Sequence, residues 1–296
     1  MLRRDSFTTQ ISPGARYMII SALGFALMAA CVKLSSQAGI PLLEIVSARA
    51  AVSLVLSYLD VRRKGISLWG QAIVWLIARG TVGALALVCV YYAVTQLPLA
   101  EATVIQYLHP VFTAILAWIF LRERLQRTTL LCLVLSLIGV LVLARPESLS
   151  SAGLQSLPLL PLLAALGGAL GSAIAYVIVR RLSRSEDPSV IIFYFPLIAL
   201  PFSLLLPGPA FVMPEGHLWL ILLMVGVFTQ IGQLGLTKAL QTETAGRATA
   251  FSYIQILFAA VLGAWLFDEI PTIWTWAGAG FILLGALINL GLLRRS

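Results

Sequence analysis

The chain has 296 residues, of which 60% are hydrophobic and only 11% charged, and its net charge is +8. A soluble domain carries roughly a quarter charged residues, so this composition excludes a water-soluble fold of this size. Once the apolar runs are set aside, too little remains for the soluble domain of a membrane-tethered enzyme.

Arg3 and Arg4 precede an apolar run that ends Leu27-Met28-Ala29-Ala30-Cys31, which looks like a signal sequence with a lipoprotein-type cysteine. The run from Tyr17 is long for a signal core and more spans follow, so it reads as a retained first transmembrane helix. The apolar runs predict ten helices, over 15–36, 42–59, 70–93, 100–121, 128–145, 158–181, 189–206, 217–240, 247–267 and 272–293. Each is long enough, at about 1.5 Å per residue, to cross a hydrocarbon core of about 30 Å.

The basic residues sit in small groups between these runs rather than on one face or arm, which argues against nucleic-acid binding. With the N-terminus in the cytoplasm, one side of the membrane receives Arg3, Arg4 and Arg16, then Arg62, Arg63 and Lys64. Arg122, Arg124, Arg127, Arg180, Arg181, Arg184, Lys238, Arg247, Arg294 and Arg295 follow on the same side. Arg145 is at an outer loop, and Lys33, Arg49 and Arg79 lie within spans. The reading is a multi-pass protein of a bacterial inner membrane with both termini cytoplasmic.

The chain also repeats itself. At one constant offset Ala102 falls on Ala248, Thr103 on Thr249, Tyr107 on Tyr253, Phe112 on Phe258, Glu123 on Glu269 and Gly139 on Gly285. Ala22-Leu23-Gly24 similarly resembles Ala165-Leu166-Gly167. Five spans per copy is an odd number, so the copies insert in opposite orientations, as in many secondary transporters. The expectation is an all-α membrane protein of ten transmembrane helices in two inverted five-helix repeats. The first repeat covers 1–150 and the second 151–296, with a hinge rich in Ser, Pro and Gly at 145–158.

Thr103, Gln106, Pro110 and Thr113 share a face of the fourth span, bordered by His109. The ninth span places Thr249, Ser252, Gln255, Ile256 and Ala259 at the matching positions, so Pro110 has no proline counterpart. The eighth adds Gln230, Gln233, Thr237 and Gln241 at helical spacing. Polar groups in hydrocarbon are costly unless satisfied. These stripes therefore predict a hydrated central pathway lined by the third, fourth, eighth and ninth spans, the alternative being interhelical hydrogen bonding without a substrate. The candidate substrate-binding residues are Gln106, Tyr107, His109, Gln230, Gln233, Tyr253, Gln255 and Arg79. Tyr91, Tyr92, Tyr176 and Phe251 lie nearby, Tyr91 and Tyr92 equally suited to the bilayer interface.

Among the charges in or near spans, Arg79 or Arg49 could hold a substrate carboxylate or form a structural ion pair with Glu44 or Glu101. Glu123 and Glu269 fit helix capping or interhelical contact. Gly167 and Gly171, with Gly168 adjacent, allow close helix packing within the fold. Cys31, Cys89 and Cys132 lie in apolar runs without CxxC spacing and read as buried free thiols. With only His109 and His217 for histidines, no metal site is expected, nor any cofactor. No nucleophile elbow, nucleotide-binding loop or zinc-protease motif occurs, so neither an enzyme nor a pump driven by its own ATP hydrolysis is indicated.

The stretch Gln96-Leu97-Pro98-Leu99-Ala100-Glu101-Ala102-Thr103, followed by Pro110-Val111-Phe112-Thr113-Ala114 and Leu121-Arg122-Glu123, resembles the EamA family of the drug/metabolite transporter superfamily. Its second copy runs from Ala248 through Phe258-Ala259-Ala260 to Glu269. Within that superfamily the chain is most similar to the YddG-type bacterial amino-acid exporters. The resemblance implies a ten-helix carrier with a central cavity and alternating access, whose substrate is a small molecule such as an amino acid. The lipid bilayer is its other expected partner, and the sequence leaves the oligomeric state open, a monomer included. A carrier for another organic solute, such as a vitamin, nucleoside or sugar derivative, and a non-transporting scaffold or receptor are the alternatives.

Overall fold

The computed structural model describes residues 12–97, 99–144, 158–205, 212–268 and 272–290. In chain order the helices are α1 (Pro13–Gln37), α2 (Leu42–Lys64), α3 (Ile73–Gln96), α4 (Leu99–Gln106), α5 (His109–Leu121) and α6 (Arg127–Ala144). They continue as α7 (Leu159–Leu182), α8 (Pro188–Leu205), α9 (Leu218–Thr242), α10 (Ala245–Ala250), α11 (Ile254–Phe267) and α12 (Ile273–Leu290). A 3-10 turn, Phe251–Tyr253, joins α10 to α11.

Nine stretches among the described residues are long and apolar enough to cross a membrane, and α6 is a shorter apolar tenth. The ten expected spans are all present, with α4–α5 and α10–α11 each forming one broken span. Local signals set the ends. Ser12 caps α1, its hydroxyl accepting from the Ala15 amide at 3.3 Å, with Pro13 opening the helix. Gly65 ends α2 at φ 65, after Arg62, Arg63 and Lys64 have placed positive charge against the helix C-terminus.

The packing is that of an inverted repeat. α1 lies on α9, and its repeat counterpart α7 lies on α3; α2 pairs with α8, and α6 with α12. Each of these contacts between the halves thus recurs with the halves exchanged. The α6–α12 crossing shows why small residues are needed. A Cβ on Gly139 would lie 2.6 Å from the Gly278 carbonyl, and one on Gly278 would lie 2.6 Å from the Gly139 carbonyl. On α7, Gly168 and Gly171 are the glycines that let α3 approach, while Gly167 faces open space. The symmetry reaches the span ends as well. Arg122 after α5 and Asp268 after α11 both take left-handed backbone, φ 54 and φ 53.

The largest core cluster sits at one end of the bundle. It joins Ala15 and Met18 of α1, Val61 of α2, Leu76 of α3, Ala117 of α5, Leu240 of α9 and Phe251. Large apolar side chains such as Trp118, Phe120, Trp265 and Ile273 are exposed around the outside, where lipid would cover them.

The expected 145–158 hinge up to residue 157, and Arg3, Arg4, Arg145, Glu269, Arg294 and Arg295, lie outside the described residues, as do the side chains of Tyr91 and Glu101.

Candidate functional site

The site is built on two interruptions. Pro110 has no N–H, so the Gln106 carbonyl loses its helical donor four residues on. His109 replaces it, with Nδ1 2.9 Å from that oxygen. A carbonyl only accepts, so Nδ1 carries a proton. The next carbonyl, of Tyr107, accepts from the Tyr253 hydroxyl at 2.7 Å, and the two rings stack with centroids 5.7 Å apart.

The second repeat breaks at the same place without a proline. Thr249 and Ser252 turn their hydroxyls back on the Ala245 and Thr249 carbonyls at 2.8 and 2.7 Å, and the backbone tightens into the 3-10 turn. The break is shared although the proline is not.

A cavity of about 430 Å³ opens beside these breaks. Gln106, Tyr107 and His109 reach it from the α4–α5 break, Gln255 from α11, Gln233 from α9, and Arg79 from α3. Arg49 of α2, Tyr176 and Ser172 of α7, Phe195 of α8, and Phe25 and Met28 of α1 complete most of the wall. The cavity extends from mid-bundle toward the C-terminal ends of α1 and α3, where Val32 and Val90 line it. Its other end is sealed by the core cluster around Leu240 and Phe251.

Six of the eight candidate residues are therefore brought together. The other two serve the framework. Gln230 accepts from Ser53 at 2.7 Å and donates to Ser57 at 2.9 Å, binding α9 to α2. Tyr253 is fully buried behind Tyr107. The expected lining by the third, fourth, eighth and ninth spans is incomplete, because α1, α2, α7 and α8 contribute too. Tyr176 had a signal in sequence as an aromatic near the polar stripes. Phe195 had none, being one apolar residue in an apolar run.

Arg79 is 3% exposed, and Gly83 makes its position possible: a Cβ there would lie 2.4 Å from Arg79 Nη1. Arg49 and Arg79 both lean on the Phe195 ring, 5.9 and 5.1 Å from its centroid. The alternative ion pair with Glu44 does not form, and the one with Glu101 lies outside the described side chains. Glu44 instead accepts from the Val212 amide at 2.9 Å.

At the sealed end, Glu123 joins three helices. It accepts from Arg180 Nε at 2.7 Å and from the Ala245 amide at 2.7 Å. Arg180 also donates to the Leu240 carbonyl at 2.6 Å, at the end of α9.

An inverted pair of five-helix bundles around a largely apolar cavity of metabolite size, with a few convergent polar groups, is the architecture of a polytopic transporter. The EamA-like transporter family model matches residues 12–145 and 159–291, and the chain belongs to that family. It is 34% identical over 279 residues to the pseudopaline exporter CntI of Pseudomonas aeruginosa strain UCBPP-PA14, covering 94% of this chain and 95% of that one. It is 32% identical to solute carrier family 35 member G1 of Mus musculus, covering 90% and 75%. It is 27% identical to a riboflavin transporter of Vibrio cholerae, covering 92% and 90%. A crystal structure of a protein with 19% sequence identity superposes with a TM-score of 0.76, covering 93% of this chain and 98% of that one, and so shares the fold.

Proposed function

We propose that the chain is a secondary carrier that exports amino acids or related small metabolites across a bacterial inner membrane. Both termini would face the cytoplasm, and the units 1–150 and 151–296 would rock about the cavity to give alternating access. Gln106, Tyr107, His109, Gln233, Gln255 and Arg79 would contact the substrate. The observation that carries this reading is a cavity of about 430 Å³, lined from both repeats by arginine, glutamine, tyrosine and histidine among apolar side chains, with a buried apolar cluster between it and one end of the bundle. That is the shape of one half of an alternating cycle. The basic groups Arg62–Lys64 and Arg180–Arg184 lie at the sealed end, which the positive-inside rule assigns to the cytoplasm.

The test is transport by purified protein in liposomes loaded with labelled amino acids, with and without a pH gradient. Protein-dependent efflux of at least one amino acid is expected. The rings of Tyr107, Tyr176 and Phe195 favour a second reading, a carrier for a flat organic solute. Flux of riboflavin with none of any amino acid would select it.

A further inference from the structure

The cavity holds two guanidinium groups and, among the described residues, no group that neutralises them. Arg79 Nε is buried with no hydrogen-bond partner. Among the described residues, Arg49 Nη1 reaches the Met28 sulfur, a weak acceptor at 3.6 Å. No Asp or Glu lines the cavity, and the ion pairs among the described residues involve neither arginine. A guanidinium does not shed its proton in a protein. Both charges therefore persist, 5.9 and 5.1 Å from the centre of the same aromatic ring. A ring quadrupole offsets only part of the cost of taking a cation out of water, and two like charges near one another add to that cost.

We propose that the transported solute carries at least two carboxylates, one for each of Arg49 and Arg79. This deepens the carrier reading above and rests on it. The two guanidinium forks come from different helices, α2 and α3, so each can pair with its own planar carboxylate in the two-point geometry that Arg favours. Phe195, Met28 and Leu87 offer an apolar surface to the carbon skeleton between them. The Gln106, Gln233 and Gln255 amides supply neutral polar contacts. With no carboxylate on the wall, a substrate ammonium, where there is one, rests on the Tyr107 and Tyr176 rings or on amide oxygens. A simple neutral amino acid would answer one arginine and leave the other unpaired.

The experiment uses the full-length protein, in proteoliposomes for flux and in detergent for thermal stabilisation. The probes are glutamate, its one-carboxylate isostere glutamine, 2-oxoglutarate, citrate, glucose 6-phosphate, leucine and riboflavin. A di- or tricarboxylate is expected to be carried and to raise the unfolding temperature, with a preference of roughly tenfold over glutamine. Arg49→Gln should erase that preference, and Arg79→Lys, which keeps the charge but not the fork, should weaken it. Flux of leucine or glutamine that matches or exceeds the carboxylates and is untouched by Arg49→Gln overturns the proposal, as does a preference for glucose 6-phosphate or riboflavin. Each of those outcomes leaves a carrier in place. No flux and no stabilisation by any probe overturns the proposal and the carrier reading together.

Discussion

Tyr107 and Tyr253 occupy the same position in the two repeats, yet only Tyr107 meets the cavity. Tyr253 ties down the carbonyl that Tyr107 exposes at the break. Tyr253→Phe should lower stability by about 1 kcal/mol, the net worth of one such bond, read as a lower unfolding temperature in detergent. Gln230→Ala strips Ser53 and Ser57 of their partner and should cost about 1–2 kcal/mol with the range of transported solutes unchanged. A changed range would move Gln230 back to the site. Gly83→Ala reaches the site from behind: its Cβ would meet the Arg79 guanidinium at 2.4 Å and the Phe195 ring at 2.9 Å, so substrate affinity and the unfolding temperature should fall together. Sequence marked Gln230 and Gln233 alike as polar residues on one span. They stand about 60° apart around the helix, enough for one to face the α2 serines and the other the cavity, and only the neighbours decide which.

At the scale of elements, the hydrophobic runs gave away all ten spans because nothing but length and apolarity is needed to cross a bilayer. The breaks were harder to read. Pro110 announced the first, but Ser252 and Thr249 bend the second with hydroxyls that elsewhere sit quietly in a helix. Glu123 was legible as a helix-end residue, whereas its partner Arg180 lies in another repeat and no spacing links them. Their pair is largely buried, with side chains 9% and 14% exposed. Glu123→Gln should therefore cost about 2–4 kcal/mol and loosen the sealed end, seen as faster hydrogen exchange at the start of α10. Asp187, in the turn before α8, gives a pH test. Burial pushes its carboxyl up, but hydrogen bonds from Lys64 and from Ser189 prevail and hold it below the ordinary carboxylate value. Its contribution is present above about pH 4 and is lost as pH falls through the lowered value. The unfolding temperature should drop across that acid window, and Asp187→Asn should flatten the drop.

For the whole molecule, the repeat visible in sequence is the organising fact. Ala102 and Ala248, Gly139 and Gly285, and the left-handed pair Arg122 and Asp268 mark equivalent places in two halves that meet across α1–α9 and α3–α7. What sequence could not show is how the two sides of the cavity differ: its wall extends to Val32 and Val90 on one side, while the other is filled by Ala117, Leu240 and Phe251. A carrier must be able to exchange those two sides. The direct measurement is thiol accessibility in oriented vesicles, with Cys31, Cys89 and Cys132 replaced by Ser and a single cysteine placed at Val90 or at Ala117. A membrane-impermeant maleimide should label Val90→Cys from the outer face and Ala117→Cys only from the inner face. Carried solute should raise one labelling rate as it lowers the other. Labelling of both positions from one face, or rates that never change in opposite directions, would contradict alternating access through this cavity.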